Sequence, residues 1–96
     1  DKALFLDAGL ILETQKQYSE AAAMYVKAQS FEKAAYLYIH QLIKNDKGRI
    51  NEANVILEKV DNNALNIAFG KVCALAGRFE DALRAYRRGK DVDKVV

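Results

Sequence analysis

One pattern recurs four times in 96 residues: an apolar or aromatic residue, alanine three positions on, and an aromatic or leucine four further. It reads Tyr18-Ala21-Tyr25, Phe31-Ala34-Tyr38, Ile50-Ala53-Leu57 and Phe79-Ala82-Tyr86. Spacings of three and four place all members of a set on one helix face. A short unit of this kind cannot bury its apolar face alone, so neighbouring units must stack into one elongated core. The expected fold class is therefore all-α: an α-solenoid of three antiparallel helical hairpins, over about residues 2–28, 31–60 and 64–89, with the start of a seventh helix from Asp91.

The rest of the chain agrees with this frame. There is no proline, and no stretch alternates apolar and polar residues with the period of a strand. A chain that is 51% hydrophobic can build a core, yet no run of about 18 apolar residues exists to span a membrane. The opening Asp1-Lys2-Ala3-Leu4 is unlike a secretion signal and reads as a helix already under way; with the helix begun at Asp91, it suggests a piece of a longer solenoid. Fifteen basic against 13 acidic residues give a net charge of +2, too mild to point to nucleic acid. The densest basic run is Arg84, Arg87, Arg88 and Lys90; Glu80 and Asp81 open that helix and its arginines close it, which matches the helix dipole. Glu80 is also placed to pair with Arg84. A single cysteine, Cys73, suits a reducing compartment.

Along the chain, the first helix carries Leu4, Phe5, Ala8, Ile11 and Leu12 on one face and Leu6 and Leu10 on another, so it is expected to press between neighbours. Ser19 is the candidate N-cap of the second helix, whose stripe is Tyr18, Ala21, Ala22, Tyr25 and Val26. The third has Phe31, Ala34, Ala35, Tyr38, Ile39 and Leu42. After a polar loop, Lys44 to Arg49, come Ile50, Ala53, Ile56, Leu57 and Val60. Asp61-Asn62-Asn63 stops one helix and caps the next, which buries Leu65, Ala68, Phe69, Val72, Cys73 and Ala76. Phe79, Ala82, Leu83 and Tyr86 face inward on the sixth, and Gly89 takes the left-handed position that ends it.

Two glycines lie twelve residues before repeat alanines: Gly9 before Ala21, and Gly70 before Ala82. Small residues on facing helices let backbones approach closely. In the middle hairpin Tyr36 aligns with these glycines, which predicts a pair held wider open. Gly9, Ala21, Tyr25 and Ala28, with Gly70, Ala82 and Tyr86 and the turn Ala76-Gly77-Arg78-Phe79-Glu80-Asp81, resemble the tetratricopeptide repeat. The match departs from that family at Phe5 and Asn66, where tryptophan is usual. Such degenerate repeats are similar to the helical tails of proteins with WD-repeat propellers, in coatomer and intraflagellar transport. The runs Tyr18–Val26, Leu57–Val60 and Ala76–Tyr86 look like the pattern of core subunits of intraflagellar transport complex A. The resemblance implies a right-handed solenoid and a scaffold in a ciliary transport complex, cytoplasmic or at the cilium and its base, whose partners are sister subunits or cargo.

Nothing in the chain suggests catalysis. His40 stands alone, without the several ligands that a metal site requires, and Cys73 lies on an apolar stripe without an adjacent base. No glycine-rich phosphate loop or calcium loop is present, so no cofactor is expected. The tyrosines fall on repeat positions, where core packing explains them better than base stacking. The expected function is protein binding, without nucleic acid or membrane insertion; a tetratricopeptide adaptor for a peptide is the alternative, and a small helical enzyme lacks a site. By analogy with that family, the first helix of each hairpin lines a concave side through Leu6, Leu10, Glu13, Lys33, Leu37, His40, Ile67 and Lys71. Leucine and isoleucine replace the asparagine and lysine of peptide-terminus clamps there, so the groove suits a helix or neighbouring solenoid; equally, these residues could pack against an adjoining turn. Gly9, Ala21, Tyr25, Ala34, Tyr38, Ala53, Gly70, Ala82 and Tyr86 are the expected packing residues. The isolated chain is expected to self-associate through its outer helices and through Val92, Val95 and Val96.

Overall fold

A computed structural model describes residues 1–89, and the expected seventh helix with its cap Asp91 and valines lies outside these described residues. Every regular element among them is helical: α1 (Lys2–Thr14), α2 (Tyr18–Lys27), α3 (Phe31–Leu37), a π-helical segment (Tyr38–Leu42), α4 (Ile43–Asn45), a 3₁₀ turn (Lys47–Arg49), α5 (Ile50–Leu57), α6 (Asn63–Leu75) and α7 (Phe79–Arg88). The molecule measures 44 × 25 × 17 Å. Helices adjacent in sequence pack together, most extensively α1 on α2 and α6 on α7, while α3 bridges α2 and α5. Within the described residues no helix is long and apolar enough to cross a membrane.

One joint is built three times. Lys16 and Gln29 adopt φ of 63° and 60°, and Gly77 adopts 81°. In each case the left-handed residue donates three back along the chain, and the next residue donates five back: Gln17 to Leu12, Ser30 to Tyr25, Arg78 to Cys73. These are Schellman ends, which satisfy the last carbonyls of one helix while turning the chain. The residues that follow share one geometry: Gln17, Ser30 and Arg78 have φ of −92°, −90° and −94° with ψ of 71°, 68° and 70°. Each delivers an aromatic residue, Tyr18, Phe31 or Phe79, as the first of the next helix. The identical joint explains why the repeat motif recurs at these three places in the chain.

Several helix ends differ from expectation. Ser19 does not cap α2, which begins at Tyr18, two residues earlier than a Ser19 cap would start it, behind Gln17 with no side-chain cap; its hydroxyl instead accepts from Arg49 Nη1 at 3.0 Å. Gly89 is right-handed, at φ −75°. It is small for another reason: a Cβ there would stand 2.7 Å from Ile67 Cγ1 and 3.1 Å from the Asn63 carbonyl oxygen. Asn62 does cap α6, accepting from Leu65 N–H at 3.1 Å. The polar loop shrinks almost to Asp46, whose carboxylate accepts from Gly48 N–H at 3.0 Å and starts the 3₁₀ turn.

The core runs along the molecule: Tyr25, Leu37, Ile43, Ile50, Leu57, Phe69 and Cys73 are almost wholly buried, among alanines 21, 22, 34, 35, 53 and 85. Burying each of the larger side chains is worth about 2 kcal/mol. In the third helix the regular spacing gives way after Leu37. Ile43 N–H donates to the Tyr38 carbonyl, five residues back. The wider turn lets Leu37, Tyr38, Ile39, Leu42 and Ile43 all reach the core, a broader stripe than a straight α-helix of the same length can bury. The outermost faces are less covered than the sequence suggests. Leu4 and Ile11 of α1 and Phe79 and Leu83 of α7 are exposed, and the buried face of α7 is instead Asp81, Ala82 and Ala85. At these positions no other described helix lies beyond to receive them.

Candidate functional site

The glycines make sockets for tyrosine rings. A Cβ on Gly9 would lie 2.6 Å from Tyr25 Cε1, and one on Gly70 would lie 2.9 Å from Tyr86 Cε1. The close approach is thus of glycine to the aromatic at the end of the motif, while Ala21 and Ala82 are buried nearby in sequence. The Tyr25 hydroxyl donates to Glu13 at 2.6 Å, and Tyr38 donates to Glu52 at 2.9 Å. Burial and the neighbouring carboxylate push both hydroxyls up, so they stay protonated donors. Tyr36, aligned with the glycines in sequence, is 53% exposed and lies against His40 with ring centroids 4.3 Å apart and planes inclined at 49°. With more than half of its surface in solvent, the Tyr36 ring is not enclosed between the middle helices.

Polar seams tie successive helices. Buried Asp81 on α7 accepts from Asn54 of α5 at 3.0 Å and is ion-paired with Arg78 at 2.8 Å and Arg84 at 2.6 Å. Arg84 therefore pairs with Asp81, three residues away, and not with Glu80 as its spacing suggested. Burial alone raises the Asp81 carboxyl; the Asn54 bond and the two guanidinium groups outweigh it and hold the group below its usual range. One repeat earlier, Arg49 binds Glu52 and Ser19 and covers the Tyr38 ring. Asn66, 1% exposed, donates to the Val60 and Asn62 carbonyls and accepts from Arg88 Nε at 2.9 Å. Arg88 is thus part of the packing, where the sequence suggested a solvated helix end. These seams are not legible in the sequence, because polar residues on a helix face look alike until a partner is known.

The expected concave residues separate. Leu37 is 2% exposed and belongs to the core, so it has no surface to offer a partner. Leu6 and Ile67 are half-buried, while Leu10, His40 and Lys71 are exposed. Two of the surface concavities among the described residues adjoin these expected positions. One, of about 420 Å³, is bounded by Glu13, Glu32, Lys33, Tyr36, Asn62 and Leu65. The other, about 350 Å³, lies between the π segment with its following turns and the end of α6. Ile39, Ile43, Val72 and Ala76 form its apolar part, with His40, Lys44, Lys47 and Leu75 also lining it. Of the six expected binding residues only His40 lines it. Leu75 carried a legible signal, being a leucine off the buried stripe of α6; it is 86% exposed.

For chemistry the surroundings offer little. Burial, and secondarily the Asp81 charge, push the fully buried Cys73 thiol up to about 11, far from the thiolate a nucleophile needs. Among the described residues no cluster of His, Cys, Asp or Glu has the grouping to hold a metal ion.

No protein-family profile matches the chain. It is 34% identical over 95 residues to WD repeat-containing protein 19 of Mus musculus and 30% identical over 95 residues to that of Homo sapiens. It is 29% identical over 90 residues to WD repeat-containing protein dyf-2 of Caenorhabditis elegans. These alignments take in 99%, 99% and 94% of this chain but 7%, 7% and 6% of the relatives, so the chain spans only a small part of the length of the curated proteins it resembles.

Proposed function

We propose that this chain is a segment of a right-handed solenoid of three tetratricopeptide-like hairpins, about 2–28, 31–60 and 64–89, acting as a non-catalytic scaffold in a subunit of intraflagellar transport complex A. Its partners are sister subunits or cargo, at the cilium or its base. The observation that carries the scaffold reading is the thrice-built joint: what recurs along this chain is machinery for stacking helices. The relatives support the setting. WD repeats form four-stranded blades, whereas the stretch aligned here is helical, so the repeats in those names belong elsewhere in those chains. That division matches the propeller-plus-solenoid plan which the sequence resembles.

The test is cross-linking of the tagged chain in a ciliated cell, followed by mass spectrometry and by imaging of the tag. Cross-links to other solenoid subunits of the transport particle, with signal at the ciliary base, are the expected outcome. Cross-links confined to chaperones or signalling proteins would replace this reading with a peptide-binding adaptor.

A further inference from the structure

We infer that the concavity between the π segment and the end of α6 receives an acidic amphipathic helix of a partner protein; this rests on the scaffold reading and names the partner's chemistry. The hollow has an apolar side of half-buried Val72 and Ala76, with Ile39 and Ile43 beneath it as core residues that leave almost no surface of their own. Leu75 stands 86% exposed at its edge, a large aliphatic side chain left in water beside an apolar hollow. The charged lining is of one sign. Lys44 and Lys47 contribute to it and no carboxylate does. Among the described residues neither lysine is ion-paired, although three arginines of the chain are.

The wall itself is unusual. The π turn holds Ile39 and Ile43 in the core beneath the hollow while His40 stays exposed against Tyr36. π turns inside helices recur at functional positions. A hollow of about 350 Å³ between helical walls has room for one or two large side chains, which suits the apolar face of a docking helix. Glutamates or aspartates flanking that face meet the lysines, and lysine-rich helices are repelled.

The experiment is a ¹H–¹⁵N NMR titration of the whole 96-residue chain. One probe is a synthetic helical peptide with a leucine stripe flanked by glutamates; the second has lysines in their place. The expected result is shifts at Ile39–Lys47 and Val72–Ala76 with the glutamate peptide alone. Lys44→Glu with Lys47→Glu weakens that peptide about fivefold and gains the lysine peptide. Leu75→Ser weakens it about tenfold. All three residues are exposed, and circular dichroism checks that helicity is kept. Shifts elsewhere, equal binding of both peptides, or occupation of the hollow by a second copy of the chain would overturn the inference. A peptide that binds as expected, with no cross-links to transport subunits, would sink the transport role and leave the docking site standing. The reverse pair of results would sink the docking site alone.

Discussion

Gly9 and Gly70 occupy corresponding sockets, yet alanine should not be equally tolerated in them. Alanine gains about 1 kcal/mol over glycine inside a helix, against about 1–3 kcal/mol for overpacking. Tyr25 is 1% exposed and anchored by Glu13, so its ring cannot withdraw from a Cβ at 2.6 Å. Gly9→Ala is expected to destabilise by about 1–2 kcal/mol. Tyr86 is half-buried and can swing, so Gly70→Ala is expected to be near neutral; urea denaturation of the two variants gives the order. Asp81 sets a second expectation. Its folded carboxyl titrates below the ordinary value of 3.8, so its contribution is present above that pH and is lost as acid carries the solution through the lower, folded value. Wild type should lose stability more steeply than Asp81→Asn as the pH falls through 3.8 and below. Asp81→Ala should cost about 2 kcal/mol at neutral pH, for lost bonds to charged partners. Equal acid slopes in wild type and Asp81→Asn would show that the seam carries no such linkage.

The elements are joined by left-handed residues, and their identities differ. At Gly77 a Cβ would have nothing within 4 Å, so Gly77→Ala meets only backbone strain at φ 81°. The expected loss is about 1 kcal/mol. Lys16 and Gln29 already bear that strain. Lys16→Gly and Gln29→Gly are each expected to gain about 0.5 kcal/mol, the relief offset by glycine's greater unfolded freedom. Thermal melts that rank the three variants the other way would mean that turn conformation does not govern these joints. Sequence located the joints, because aromatic residues follow them, but it assigned the left-handed role to Gly89. Glycine is permitted in two situations, a positive φ and a close approach, and one sequence does not tell them apart. The π segment was equally hidden: Phe31 to Leu42 keeps perfect α spacing, and only the burial of Leu37 and Ile43 with Tyr38 and Leu42 shows what the extra residue accomplishes.

On the scale of the molecule, apolar side chains stand in water on both outer helices: Leu4 and Ile11 on α1, Phe79 and Leu83 on α7. Water-exposed aliphatic and aromatic surface of this kind favours association. The chain is expected to shift to dimers or larger species as its concentration rises in sedimentation velocity, and Leu4→Glu with Ile11→Glu to restore the monomer. A monomer at every concentration would show that these faces are too small or too dispersed to pair.

Local pattern was enough to determine the helical class, the alanine–aromatic core and the cap at Asn62, because each depends on residues within one or two turns. Tertiary structure decided that glycine sockets hold tyrosine rings, that Asp81 and Asn66 are interior while Phe79 is not, and that Leu37 is core. Those outcomes depend on what lies across the helix interface, and the residues that meet there are brought together only by folding.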